Sequence, residues 1–272
     1  MTSIVTNLYE YRELIRALVW KSIVVRYKQA YLGLFWAVLK PLLLMLIFTL
    51  VKSFVGIETG DVPYPVLTFA ALMPWIFFQE SASEGVNSVT SNSSLIRKIY
   101  FPREVFPVTA MFAKLVELAI SFLILFGLMA YYKMLPSIQM IWVPAIVFYT
   151  MLVALTLSFF GAAMNVYFRD IAQALPVALS LLMYGSPVIY PLTLVHEKLV
   201  VERIAGDFSE AAYSIYLLNP LAGIIDAFQR VVLKGLPPDL SIMAPGMLLT
   251  VVVLPFSYLY FKRAENWFAD II

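Results

Sequence analysis

The chain has 272 residues, 62% of them hydrophobic and 13% charged, with a net charge of +2. Soluble domains carry roughly 25% charged and about 45–50% apolar residues, so a water-soluble globular fold is excluded, and the mean hydropathy of +0.86 points to a bilayer as solvent. The absence of cysteine excludes disulfides, thiolate metal sites and thiol nucleophiles, and so small a net charge gives no argument for nucleic acid.

Residues 1–31 mix Glu10, Arg12, Glu13, Arg16, Lys21, Arg26 and Lys28 with apolar positions and lack the uncharged core of a secretory signal. Asn7 with Glu10 three residues on makes a capping-box-like start. Leu8, Tyr11, Ile15, Leu18 and Ser22 then follow helical spacing, with Leu14 and Val19 widening the stripe. The pattern predicts an amphipathic helix along the cytoplasmic membrane face, the alternative being an ordinary helix packed on its own protein.

A spanning helix needs about 20 mostly apolar residues. Six stretches meet that need: 34–51 with Lys40-Pro41 inside, 62–79, 108–131, 141–167, 171–194 and 242–261. Continuous apolar runs exclude the alternation of a barrel, and helices satisfy their own backbone in lipid. The expected fold is therefore all-α, a single polytopic domain over 1–272 with six transmembrane helices. Arg97, Lys98, Arg103, Arg169, Lys262 and Arg263 fall on the same side as the basic N-terminal segment. The opposite side holds Lys133, Lys198, Arg203, Arg230 and Lys234, diluted by acidic residues. This bias puts both termini in the cytoplasm.

Residues 191–241 form a long external stretch, opened by Gly185, Pro187 and Pro191. Its apolar pieces 212–218 and 221–233 are split by Asn219-Pro220. Each is too short for a core of about 30 Å at 1.5 Å per residue. They read as two short helices dipping into the outer interface or capping an outer mouth. As two further spans they would put Asp226, Gln229 and Arg230 in lipid.

No G-x-x-x-x-G-K-S/T phosphate loop occurs, and His196 is the one histidine. No nucleophile elbow or catalytic carboxylate pair stands out, so an enzyme has no constellation to rest on. Lys114 and Glu117, three apart on the third span, can pair locally or mark function. The spans are expected to lack the further acids of a proton relay. In the cytoplasmic loop 87–107 a Ser/Asn run precedes a short helix over 95–101, ended by Pro102. Leu95, Ile96, Ile99 and Tyr100 share an apolar face, with Arg97 and Lys98 away from it. Such a segment is either a docking element or a basic membrane-facing turn.

Four stretches in order carry a family resemblance: Arg26-Tyr-Lys-Gln-Ala-Tyr-Leu-Gly-Leu-Phe-Trp36 before Lys40-Pro41; Leu95-Ile-Arg-Lys-Ile-Tyr-Phe-Pro-Arg-Glu104; Val166-Tyr-Phe-Arg-Asp170; and Leu218-Asn-Pro-Leu-Ala-Gly-Ile-Ile-Asp-Ala-Phe-Gln-Arg230. The set resembles the type-2 ABC export permeases of the polysaccharide and O-antigen branch. The resemblance implies a bacterial inner-membrane, multi-pass subunit that exports a lipid-linked polysaccharide. It implies a homodimer with an N-terminal interface helix, external gate helices after the fifth span, and two copies of a separate ATPase. No cofactor is then expected on this chain, ATP and magnesium belonging to the partner. Leu95, Ile96, Arg97, Lys98, Tyr100, Phe101, Arg103 and Glu104 would sit in a cleft of that ATPase, with Phe168, Arg169 and Asp170 at a second contact. Arg169-Asp170 alternatively only caps the fifth helix.

Aromatics make up 15% of the chain, and sugar rings stack on aromatic faces. Trp36, Phe69, Trp75, Phe77, Phe78, Tyr184 and Tyr190 are candidates to line a pathway, the alternative being interfacial belts or packing. Two other functions stay open on the residues alone, a membrane-embedded lipid-sugar enzyme and a small-molecule exporter of the same architecture.

Overall fold

A computed structural model describes residues 2–28, 35–56, 62–98 and 101–271, and these are helices, turns and loops with no strand among them. Two N-terminal helices, α1 (Thr2–Glu10) and α2 (Arg12–Lys28), act as one rod. The Tyr11 amide bonds to the Asn7 carbonyl and the Ile15 amide to the Tyr11 carbonyl across the join. Leu8, Tyr11, Leu14, Ile15 and Leu18 pack inward, the stripe that the spacing predicts.

Then follow α3 (Phe35–Val55) and α4 (Tyr64–Ser91), led in by Pro63 and Pro65. The expected second span ended at residue 79, but α4 continues through the Ser/Asn run to 28 residues. The reason is local: Asn87 Nδ2 donates to the Ser83 carbonyl, Ser88 Oγ to Gly85 and Asn92 Nδ2 to Ser88. Side chains that compete with the helix backbone elsewhere here bond back along it. The expected short helix over 95–101 is only α5 (Ser93–Ile96), followed by a turn; Ile99 and Tyr100 lie outside the described residues.

Next come α6 (Val105–Tyr131), a 3-10 turn (Ile138–Trp142), α7 (Val143–Tyr167) and α8 (Ile171–Tyr184). The expected fifth span, 171–194, is broken: α8 has 14 residues, about 21 Å at 1.5 Å each. The chain turns at Gly185 and resumes as α9 (Leu192–His196) with a π turn (Glu197–Val201). Beyond a 3-10 turn (Gly206–Phe208) lie α10 (Ser209–Leu217) and α11 (Pro220–Gln229), the latter prolonged by a π turn (Arg230–Lys234). Gly235, at φ +64°, ends it in the left-handed region that glycine adopts without strain. Last are α12 (Leu240–Glu265), whose cap Asp239 accepts from the Ser241 amide, and α13 (Phe268–Ile271). The Ser241 hydroxyl also holds the Asp239 carboxyl below its usual range.

Among the described residues three helical segments are long and apolar enough to cross a membrane: Val105–Tyr131, Ile138–Tyr167 and Leu240–Glu265. The pair Gly206–Leu217 and Pro220–Lys234 makes a fourth if taken as one broken span, bent by 78°. The break falls at Asn219-Pro220, where the Asn219 side chain accepts from the Leu221 amide and donates to Ser186 Oγ at 2.8 Å. Asp226 and Gln229 are buried in protein, with Gln229 Nε2 donating to the Leu67 carbonyl at 3.1 Å. The apolar side chains Leu248, Val251, Val252, Phe256 and Leu259 of α12 are exposed, as lipid solvation requires.

Helix α4 is the axis of the bundle, packing on α3, α6, α7, α8 and α11. Its approach to α7 is close on both sides. A Cβ on Gly85 would come within 2.1 Å of Ser158 Oγ, and one on Gly161 within 2.5 Å of the Val86 side chain. Small residues let the two backbones meet where lipid supplies no hydrophobic push. Two apolar clusters result. One holds Phe69, Leu72, Trp75, Leu125, Ile146 and Phe228 in the bundle. The other gathers Leu18, Ile96, Phe101, Phe106, Phe159 and Phe261 at the end that carries the N-terminal rod.

Candidate functional site

The loop 87–107 turns half of its motif inward. Ile96 and Phe101 are buried in the second cluster, Phe101 edge-on to Phe106 at 5.3 Å. Arg103 is buried and Glu104 is 0% exposed. Leu95 is half-buried, and Arg97 and Lys98 are exposed. Phe168 is 59% exposed, with Arg169 and Asp170 exposed beside it in the α7–α8 turn. The Asp170 side chain makes no cap bond, although its carbonyl accepts from the Ala174 amide. A cleft of about 340 Å³ joins the two loops, lined by Thr90, Ser93, Asn165, Arg169 and Ile271. Asn165 Nδ2 reaches the Val86 carbonyl at 3.3 Å and Thr90 Oγ1 at 3.4 Å, fixing the floor of this cleft.

Glu104 is the centre of a polar joint. Its carboxylate accepts from Asn7 Nδ2 at 3.0 Å and pairs with Lys262 Nζ at 2.9 Å. Lys262 also pairs with Glu265 at 2.5 Å, and Glu265 accepts from the Arg103 amide at 2.8 Å. The Arg103 guanidinium turns back to the Phe101 carbonyl. Residues expected to face a partner therefore tie α1, the loop before α6 and the end of α12 together. Burial of a carboxylate is tolerable because both its oxygens are occupied by a cation and an amide.

A second cluster lies between α2, α3, α4 and α6. Lys114 Nζ is 2.6 Å from Glu80, 2.9 Å from Glu84 and 3.0 Å from Glu117. Lys40 pairs with Glu80 at 2.6 Å, and Arg26 bonds both Glu84 and Glu117. Three cations meet three carboxylates, so the cluster is neutral. The Lys114–Glu117 pair is present, but the expectation that no further acids stand near it is overturned. Glu80 and Glu84 sit one turn apart on the stretch of α4 beyond residue 79, and that i,i+4 acidic spacing was the signal to read. Burial pulls the Arg26 guanidinium down, yet Glu84 and Glu117 outweigh it and hold it firmly charged. A mixed cavity of about 440 Å³ adjoins the cluster, lined by Leu18, Val25 and Phe106 as well as Arg26, Glu84 and Asn87.

The seven aromatics do not converge. Phe69, Trp75, Phe77 and Phe78 are buried in the bundle core, Trp75 and Phe78 5.9 Å apart. Within this chain those four side chains pack against their neighbours. Trp36 and Tyr184 are exposed, and Tyr190 donates to the Tyr184 carbonyl at 2.8 Å. His196 stacks edge-on against Tyr213 at 5.2 Å, and no metal-binding group of acids and histidines occurs among the described residues.

Comparison with known proteins gives a consistent set. The family model described as ABC-2 type transporter matches residues 13–233. The O-antigen export system permease protein RfbA of Myxococcus xanthus is 28% identical over the whole of both chains. A protein of that name from Klebsiella pneumoniae is 28% identical over 93% of this chain and 92% of its own. The capsule polysaccharide export inner-membrane protein CtrC of Neisseria meningitidis serogroup B is 26% identical over 63% of each chain.

Proposed function

The chain belongs to the ABC-2 type transporter family, and from that premise we propose that it is the membrane subunit of an exporter of lipid-linked polysaccharide. It works as a homodimer in the bacterial inner membrane, with six spans per subunit and both termini cytoplasmic. The bent pair α10–α11 serves as its external gate. ATP and magnesium bind a separate ATPase, two copies of which dock on the cytoplasmic face.

One observation carries the reading: a chain with no phosphate loop leaves Arg97, Lys98, Phe168, Arg169 and Asp170 exposed on two loops, which a cleft lined by Ser93 and Arg169 joins. Exposed basic and aromatic side chains are what a charged, partly apolar docking surface uses. The inward residues serve the same end by another route. Movement at Arg97 is passed through Phe101 and Glu104 to α1 and α12, which meet in the Glu104 joint. The relatives' names, O-antigen and capsule polysaccharide, support the substrate class.

The test is reconstitution with the cognate ATPase in vesicles supplied with lipid-linked polymer on one face. ATP-dependent appearance of polymer on the other face is expected. Transport by this chain alone, or an ATPase that does not co-purify with it, overturns the assignment.

A further inference from the structure

The N-terminal rod and the first turns of α6 enclose an apolar trough of about 630 Å³, within the roughly 300–1,000 Å³ of small-molecule sites. Ile15 and Val19 of α2 and Val108 and Phe112 of α6 form its floor. Tyr9, Arg12, Arg16 and Trp20 form its rim. Tyr9, Trp20 and Phe112 are all exposed, so the trough opens sideways. The floor is continuous with a helix apolar enough to cross the membrane, whereas the rim sits on an amphipathic helix. An occupant must therefore be apolar at one end and polar at the other.

The rim charges are arranged for an anion. Arg16 pairs with Glu13 at 2.8 Å, Arg12 approaches the same carboxylate at 3.8 Å, and Arg12 stacks over the Tyr9 ring at 4.6 Å. Arg12 Nη1 also donates to the Tyr9 carbonyl at 3.2 Å. Two guanidinium groups share one carboxylate, leaving a net positive rim. Guanidinium groups match phosphate in two-point geometry, and the cytoplasmic leaflet is anionic. We propose that this trough binds one anionic phospholipid of the inner leaflet, an acyl chain on the Val19–Phe112 floor and the headgroup phosphate at Arg12 and Arg16. The lipid wedges the rod against α6 and makes its seating depend on membrane composition. The site is separate from the ATPase contact and stands whether or not that assignment does.

The test uses full-length protein, delipidated in detergent and returned to micelles containing phosphatidylglycerol or phosphatidylcholine, read by native mass spectrometry. One phosphatidylglycerol per chain is expected to survive, in preference to phosphatidylcholine. With each interfacial arginine contributing about a factor of five, R12Q/R16Q binds about 25-fold more weakly. Glu13→Gln frees both arginines and tightens binding. Val19→Trp fills the trough and abolishes binding with every charge in place. Equal affinity for the two lipids, an R12Q/R16Q protein that binds as before, or retention of a polyprenyl diphosphate instead of phospholipid overturns the proposal. If R12Q/R16Q does not fold, the opposite signs expected of Glu13→Gln and Val19→Trp decide it.

Discussion

The N-terminal rod is held near its two ends by clusters built in opposite ways. At Asn7 it meets Glu104, a fully buried carboxylate with one amide and one lysine for partners. At Arg26 it meets a neutral group of six charges in which Glu80, Glu84 and Glu117 each touch two cations. Exposure in the second cluster is graded, from Lys114 with 6% of its side chain exposed to Lys40 with 46%. The first is a joint without spare partners; the second is redundant, so a pair lost at its rim leaves every carboxylate still paired. Buried charges are costly when orphaned and nearly neutral when matched, so redundancy decides where a substitution hurts.

The hub of the redundant cluster is where the comparison breaks most visibly. Lys114→Met leaves three carboxylates with Arg26 and Lys40 alone, and is expected to cost about 3–5 kcal/mol. Thermal unfolding in detergent measures it, and Glu117→Gln in the same chain should recover much of the loss by restoring neutrality. A Lys114→Met protein as stable as the parent would mean that the six charges do not act as one group.

Glu104→Gln tests the joint and should cost about 1–3 kcal/mol, the range for a buried hydrogen bond lost without a charge stranded. Lys262 keeps Glu265 at 2.5 Å, which caps the damage. Faster amide exchange confined to α1, with α2 protected as before beyond Ile15, is the signature expected of a loosened Asn7 end. Lys40→Gln, at the rim, should cost less than about 1 kcal/mol because Glu80 still holds Lys114. A larger effect there than at Glu104 would reverse the contrast between the two clusters.

How far the chain could be read in advance follows the same division. The spans 108–131, 141–167 and 242–261 were legible because unbroken apolar runs need no partner to declare themselves, and α6, α7 and α12 match them within a few residues. The split at Asn219-Pro220 was legible for its local turn chemistry. The end of α4 was not, since Ser and Asn read as loop until their side chains are seen bonded back to the helix. Nor was the inward face of Phe101–Glu104. The contacts that bury Glu104 lie 97 and 158 residues away in the chain, and a basic, aromatic stretch looks the same whether it faces a partner or its own protein. The burial of the aromatics on α4 was not legible either, because that of Phe69 and Trp75 is set by neighbours on other helices.

Arg97 sharpens the comparison from outside both clusters, one turn from residues that are wholly enclosed. It is exposed at the C-cap of α5, whereas Ile96 beside it is buried. A change at an exposed side chain costs far less than one inside a buried cluster, so Arg97→Glu should unfold close to the parent protein. Reversing a charge at a docking surface acts on association instead, because like charges brought together disfavour the encounter and the bound state alike. Co-purification of the ATPase subunit should therefore fall several-fold and polymer export with it, most strongly at low salt, where screening is weakest. Charge reversal at Glu104 predicts the opposite pattern, a destabilised protein whose surface is unchanged. If Arg97→Glu instead lowers the unfolding temperature and leaves recruitment intact, the exposed half of the loop belongs to the joint as well, and the docking face must be sought around Arg169 alone.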